Sequence, residues 1–193
     1  PDTPIADTLG ALADLVAEGK VREIACSGFS ADQLRQAEAA ASGARFVAVQ
    51  NEYSLLHREP EAGVLEACRA LDVAFVPYFP LKSGLLTGKY RRGDTDAGGR
   101  LNATEGKFKT MGESLLTEAN LDTVERLIAF AEGRGHTVLD LAFAYLLAHA
   151  PVASVIAGAT KPAQIRANVA AAEWALTAND LAELELVMDS SAG

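Results

Sequence analysis

Apolar residues along this chain fall into two alternating patterns. Short, nearly unbroken apolar runs at residues 21–26, 46–50, 73–77 and 153–157 predict β-strands. Runs without polar alternation suit strands covered on both faces, as in a parallel sheet. The segments between them have helical spacing. Leu9, Leu12, Leu15 and Val16 make one apolar stripe, with Thr3 as its cap, Pro4 at the first helical position and Gly19 as its stop. Ser30-Ala31-Asp32-Gln33 is a capping box, and Gly43 ends the helix it opens. Pro60 opens a helix reaching Leu71. Further helices are expected over 118–132 and, capped by Thr137, over 138–149. Pro162 starts another that runs to about Ala172, and Thr177 caps a last one ending near Met188.

Four strands alternating with helices predict an α/β fold with right-handed crossovers. Residues 86–118 break the rhythm, with Arg91-Arg92-Gly93-Asp94 and Asp96-Ala97-Gly98-Gly99-Arg100 and little periodicity. A connection that long is usually functional or mobile. Ser27-Gly28-Phe29-Ser30 after the first strand is not a dinucleotide fingerprint of the G-x-G-x-x-G kind. A complete (β/α)8 barrel needs about 250 residues and eight strands, whereas half of one fits this length.

Composition narrows the partners. With 193 residues, 49% hydrophobic and 22% charged, the chain can bury a core without disulfide staples. Seventeen basic against 26 acidic residues give a net charge of -9, so nucleic acid is not an expected partner. No apolar run approaches the length of a membrane span. The opening Pro1-Asp2-Thr3-Pro4 is neither basic nor apolar, so no signal peptide is expected. Cys26 and Cys68 lack metal-ligand spacing and read as buried free thiols in a reducing, cytoplasmic compartment. His57, His136 and His149 share no metal spacing either and read as surface or supporting residues, with Trp174 as a packing residue.

In parallel α/β folds, chemistry gathers in the loops after the strands. Here those loops are Ser27-Gly28, Gln50-Asn51-Glu52-Tyr53, Tyr78 to Gly84, and Gly158-Ala159-Thr160-Lys161. In the last, Pro162 at a helix start leaves the preceding N–H groups pointing outward, and Lys161 beside them makes an anion site; an ordinary strand-to-helix turn has the same residues. Ser83, Gly84, Gly88 and Lys89 could likewise admit a phosphate. Gln50 and Ser27 together match a carboxamide, which presents one acceptor and two donors, unless both side chains satisfy nearby backbone. Tyr78 is either the floor for a flat ring or a core aromatic.

Taken in order, Val21-Arg22-Glu23-Ile24 through Ser27, Val49-Gln50-Asn51-Glu52-Tyr53-Ser54-Leu55-Leu56, Pro77-Tyr78-Phe79-Pro80-Leu81-Lys82-Ser83-Gly84-Leu85-Leu86-Thr87-Gly88-Lys89-Tyr90 and Val155-Ile156-Ala157-Gly158-Ala159-Thr160-Lys161-Pro162 resemble the aldo-keto reductase family. The resemblance covers essentially the whole chain and is strongest toward bacterial reductases related to potassium-channel β subunits. It implies a (β/α)8 barrel, of which this is the C-terminal half, and an NADPH-dependent reduction of an aldehyde or ketone. It implies that Ser27 and Gln50 bind the nicotinamide carboxamide and that Tyr78 stacks on the ring. Pro80, Leu81, Ser83, Gly84 and Lys89 would line the pyrophosphate path. Gly158, Thr160, Lys161, Gln164 and Asn168 would hold the adenosine end, with Lys161 at the 2′-phosphate. Gly28 departs from the asparagine often found after the serine, and Ala167 from a frequent acidic residue.

The family's catalytic tyrosine, lysine, aspartate and histidine belong to the first half of the barrel. Tyr53, Tyr78, Tyr90 and Tyr145 do not match the proton donor, so no catalytic residue is assigned in this chain. The chain is then expected to pair with an N-terminal half or to self-associate through open sheet edges. A non-catalytic NADPH-binding module, or an inactive fragment, is the competing reading.

Overall fold

A computed structural model describes residues 3–95 and 98–189 of the chain. The readings placed on Pro1, Asp2, Asp96 and Ala97 lie outside these residues. The fold is α/β with parallel strands, and the chain divides into two compact units.

The first unit comprises Pro1–Tyr53, His57–Tyr78 and His149–Ile156. It holds α1 (Ile5–Ala17), β1 (Ile24–Ser27), α2 (Ala31–Ala40), β2 (Phe46–Gln50), α3 (Val64–Leu71) and β3 (Ala74–Phe75). The strands form a parallel sheet in the order β1-β2-β3, with Ser27 opposite Gln50 and Val49 opposite both Cys26 and Phe75. Ile24, Cys26, Phe46, Val49 and Phe75 point to one face and are buried there. The other face is not covered as the unbroken apolar runs predict. Ala25 and Ser27 are exposed, and Ala48, Gln50 and Ala74 are half-buried. The expected stripe of α1 is likewise only partly buried: Leu9 is covered, while Leu15 is 36% exposed.

β2 covers the expected residues 46–50, whereas β1 and β3 start later than their apolar runs, and backbone bookkeeping explains both late starts. Val21 N–H bonds back to the Leu15 carbonyl at 3.3 Å, closing α1, so β1 begins later than residue 21. Val73 N–H is taken by the Cys68 carbonyl after Asp72 adopts a left-handed φ of 51°. The fourth expected strand, 153–157, is not a continuous strand. Phe75 bonds to Pro151 and Ala153 across a single bridge to Val152. Pro77 has no N–H to continue that ladder, and its carbonyl accepts from Ile156 instead. Pairing resumes only at an isolated Tyr78–Ile156 bridge.

Helix signals fare better. Ser30 and Gln33 exchange both bonds of the capping box, at 3.2 and 2.9 Å. The N-terminal position of α1 is Pro4 rather than Thr3, and no side chain caps it. The helix expected from Pro60 to Leu71 is split: a 3-10 turn at Glu59–Ala62 ends at Gly63, whose φ of 152° suits glycine, and α3 follows.

The second unit comprises Ser54–Leu56, Phe79–Ala148 and Ala157–Gly193. It contains α4 (Gly106–Leu115), α5 (Glu118–Glu132), α6 (Val138–Leu147), α7 (Pro162–Ala171) and α8 (Ala178–Asp189). Leu121, Val124 and Leu127 of α5 and Leu141, Phe143 and Leu146 of α6 form its core. Thr137 and Asp140 close a second capping box. Arg134 ties α5 to α8 through Asp180, at 2.9 Å, and Glu183. Trp174 stacks on His136 with ring centroids 4.0 Å apart. On α7 only Ala171 is buried, and Ile165 and Val169 are 57% and 65% exposed.

The described part of 86–118 holds more regular structure than its composition suggests. Short 3-10 turns occupy Lys82–Thr87 and Arg100–Asn102, and α4 follows. The signal for α4 was hidden by its glycines. Gly106 starts it at a φ of 67°, and Gly112 lies where a Cβ would stand 2.1 Å from the Leu101 carbonyl oxygen.

Candidate functional site

In the first unit Ser27 and Gln50 end adjacent strands of the sheet, and Tyr78 lies past the end of β3 in isolated bridges to Glu52 and Ile156. Ser27 pairs in register with Gln50, and Tyr78 N–H donates to the Asn51 carbonyl at 3.0 Å. The Ser27 hydroxyl donates to the Gln50 backbone carbonyl at 2.9 Å. Its proton is thereby committed, and its lone pairs remain to accept. The half-buried Gln50 amide makes no hydrogen bond among the described residues. Of the neighbouring amides, it is Asn51 that satisfies backbone. Its Oδ1 accepts from Gly28 N–H and its Nδ2 donates to the Phe29 carbonyl, both at 2.9 Å. The Tyr78 ring is half-buried, not a core aromatic.

Beside this set lies a half-buried polar cluster, with Tyr53 at its buried centre, that spacing alone does not announce. The fully buried Tyr53 hydroxyl donates to Glu61 at 2.8 Å, and a His149 ring nitrogen lies 3.1 Å away. Arg58 grips the same carboxylate at 2.9 and 3.0 Å. His149 is therefore a supporting residue, as read from sequence. The pairing of Tyr53 with a histidine 96 positions away leaves no local signal.

In the second unit, Pro80 is buried, Leu81, Ser83 and Gly84 are half-buried, and Lys89 is exposed. Backbone strain concentrates here. Lys82, Ser83 and Gly84 take consecutive φ values of 43°, 56° and 99°, following Phe79 at 54°. Left-handed non-glycine residues cost of order 1–3 kcal/mol each and gather at ligand sites. The Ser83 hydroxyl donates to the Met111 sulfur. The Lys89 ammonium lies 4.7 Å from the Tyr90 ring centroid, in a cradle that only glycine permits. A Cβ on Gly84 would stand 3.2 Å from Lys89 Cε, and one on Gly99 would stand 2.1 Å from Nζ. Tyr90 itself is buried, its hydroxyl accepting from Leu101 N–H.

At the start of α7, Gly158, Thr160, Lys161 and Gln164 are exposed and Asn168 is half-buried. The outward donors expected there are not free. Gln164 Oε1 accepts from Thr160 N–H at 2.7 Å, Lys161 N–H at 3.0 Å and the Thr160 hydroxyl at 3.2 Å. A residue at the third helical position reaching back in this way is a capping device, which accounts for the difference. An anion arriving here would take those donors from Gln164. Gln164 and Asn168 are one helical turn apart on the same face.

A cavity of about 510 Å³ in this unit is lined by Leu101, Asn102, Lys109, Gly112, Glu113 and Leu116 among others, and by none of the candidate cofactor residues. Among the described residues there is no cluster of groups able to hold a metal, and no helix is long and apolar enough to cross a membrane. Cys26 and Cys68 are buried free thiols, and burial pushes both up to about 11.

Known proteins match the chain along nearly its whole length. A family model described as the aldo/keto reductase family matches residues 1–189. The aldo-keto reductase str7 of Strobilurus tenacellus is 36% identical over 194 residues, covering 99% of this chain and 56% of that protein. The NADH-specific methylglyoxal reductase of Escherichia coli is 34% identical over 169 residues, covering 88% and 49%. A further relative, from Schizosaccharomyces pombe, carries NADP(+) in its name. Among solved structures, the glycerol dehydrogenase of Gluconobacter oxydans aligns with a TM-score of 0.82 at 26% identity, covering 100% of this chain and 57% of that one. The chain spans about half the length of the curated relatives it matches.

Proposed function

This chain belongs to the aldo/keto reductase family, and on that premise we propose that it is the cofactor-holding C-terminal half of an NADPH-dependent reductase acting on an aldehyde or ketone. Its single domain segment, residues 1–193, would be the second half of a (β/α)8 barrel. The parallel order β1-β2-β3, the parallel bridges to Val152 and Ile156, and the half-length match to relatives support that reading. So does the sheet face of small residues, Ala25, Ala48 and Ala74, left open within its unit.

The observation that carries the proposal is the uncommitted Gln50 amide beside a Ser27 hydroxyl whose proton is already donated. A carboxamide needs acceptors for two N–H groups and a donor for its oxygen. Ser27 Oγ and Gln50 Oε1 accept, and Gln50 Nε2 donates. Tyr78 offers a flat apolar surface to the adjoining ring. Lys89, cradled by Gly84 and Gly99, neutralises pyrophosphate charge along the strained Pro80-to-Gly84 turn. Lys161 meets a 2′-phosphate, Gln164 yields its helix-end donors to that anion, and Thr160, Gly158 and Asn168 border the adenosine. NADPH, when bound, supplies a hydride to the substrate's carbonyl carbon.

The proton for the carbonyl oxygen would come from outside this chain. Tyr53 and Tyr90 are 0% exposed and Tyr145 is 1% exposed, so none of the three can reach a substrate. Tyr78 is assigned to the ring. These same observations favour a second reading for the chain by itself, in which it holds nucleotide without turnover. Loss of NADPH absorbance with a simple aldehyde separates the readings. Turnover by the whole protein, and none by residues 1–193 alone, is the expected result. Nucleotide binding without turnover by the whole protein would replace the reductase with a binding module.

A further inference from the structure

From its place directly after β2, Asn51 bonds to the turn after β1 and to the segment after β3. Its side chain holds the turn after β1 from both sides: Oδ1 accepts from Gly28 N–H and Nδ2 donates to the Phe29 carbonyl, each at 2.9 Å. Its backbone carbonyl accepts from Tyr78 N–H at 3.0 Å. Through the chain it adjoins Gln50, whose carbonyl takes both the Ser27 hydroxyl at 2.9 Å and Gly28 N–H at 3.0 Å. The turn it holds has Gly28 at a φ of 72°, with nothing within 4 Å of where a Cβ would stand. Phe29 packs edge-on to Phe46 at 5.6 Å and Gly28 N–H also reaches the Gln50 carbonyl at 3.0 Å, so the two amide bonds of Asn51 complete the hold on that turn.

We propose that Asn51 is a positioning residue for the nicotinamide end of the cofactor, setting Ser27, Gln50 and Tyr78 in one geometry without touching the ligand itself. This rests on the cofactor reading above. The two bonds use both ends of one planar amide, an acceptor toward an N–H and a donor toward a carbonyl on successive residues; aspartate lacks the donor and alanine lacks both. With the clamp gone, Gly28 keeps only its Gln50 contact, and Ser27 Oγ samples positions from which it no longer accepts from the carboxamide. Losing two such hydrogen bonds' worth of preorganisation corresponds to roughly tenfold weaker NADPH binding.

The test compares the whole protein with its Asn51→Ala and Asn51→Asp variants, the second nearly isosteric and retaining the acceptor toward Gly28. Two ligands are titrated: NADPH, and adenosine 2′,5′-bisphosphate, which lacks the nicotinamide. Backbone exchange of the Gly28 amide is followed alongside. Asn51→Ala is expected to weaken NADPH about tenfold, leave the bisphosphate within about twofold, and speed Gly28 exchange. Asn51→Asp is expected to keep Gly28 protected and weaken NADPH by less. Unchanged Gly28 exchange in Asn51→Ala overturns the clamp. An equal loss for both ligands overturns positioning in favour of general destabilisation. Faster Gly28 exchange with unchanged NADPH affinity overturns the link to the nicotinamide. If native protein binds neither ligand while Gly28 still responds, it is the cofactor reading that fails.

Discussion

Replacing Tyr53 with phenylalanine removes one oxygen that is bonded to Glu61 and contacts His149 in the first unit. The ring stays: it is fully buried, edge-on to Phe75 at 5.9 Å and to His149 at 5.5 Å between centroids. Packing is therefore preserved, and what is lost is the hydroxyl's bond to the Glu61 carboxylate at 2.8 Å and its contact with His149. A hydrogen bond to a charged group contributes about 1.5–3 kcal/mol. Glu61 is not orphaned, because Arg58 holds both of its oxygens. The loss should accordingly fall near the lower end, about 1.5–2 kcal/mol, or about 3–8 °C in Tm for a chain of this size. Urea unfolding followed by far-ultraviolet circular dichroism measures it, with the slope expected to stay constant. Glu61→Gln and the double variant complete a cycle in which the coupling should account for most of the loss. A Tyr53→Phe cost below about 0.5 kcal/mol, or a coupling near zero, would refute an energetic role for the cluster.

Burial raises the Cys26 and Cys68 thiols from 9.0 to about 11, with Cys68 adding a smaller repulsive push on Cys26. A folded value above the unfolded one means their stabilisation is intact below pH 9 and is lost as pH climbs through about 11, by up to about 2 kcal/mol per thiol; denaturant midpoints across that window test it, and a midpoint that rises there contradicts it. Both thiols should resist labelling at pH 8 until the chain unfolds, and rapid labelling of native protein would show that they are not buried. Gly112→Ala drives a Cβ to 2.1 Å from the Leu101 carbonyl and should cost about 1–3 kcal/mol, seen as faster proteolysis within α4. Gly10→Ala in α1 meets nothing within 4 Å and should instead stabilise by about 0.5–1 kcal/mol; the reverse order of the two would refute the packing described. Residues 1–193 by themselves should associate, because β1 and the 152–156 segment leave edges open and the small-residue sheet face uncovered. A stable monomer near 20.2 kDa in light scattering behind a size-exclusion column would contradict the half-barrel.

Local chemistry made the helices legible, and long-range pairing hid the rest. Ser30 with Gln33 and Thr137 with Asp140 form caps whose partners lie three residues apart, so the sequence displays them outright. Strand limits depend on where each N–H is spent. Val21 and Val73 are apolar enough for a strand, yet their donors close the preceding helices. The absence of a continuous fourth strand traces to Pro77, whose missing donor sits on the neighbouring strand rather than on the segment it disrupts. At the site, Ser27 and Gln50 were visible as types matching a carboxamide. The Asn51 clamp was not, because its partners Gly28 and Phe29 are 23 and 22 residues away. Gln164 enters through the family resemblance alone, whereas its hold on Thr160 and Lys161 N–H depends on a side-chain rotamer that spacing does not specify.

The central claim is that this chain's residues hold NADPH, with Lys161 reading its 2′-phosphate. Equilibrium titration of the whole protein with NADPH and with NADH, repeated for Lys161→Ala, tests it most directly, and the NADH-specific relative makes the outcome informative. A charge-assisted contact of this kind contributes about 1.5–3 kcal/mol. Native protein should therefore prefer NADPH by roughly ten- to hundredfold, and Lys161→Ala should erase most of that preference while leaving NADH affinity nearly unchanged. Equal affinity for the two nucleotides in the native protein, or a preference that survives the substitution, would contradict the assignment.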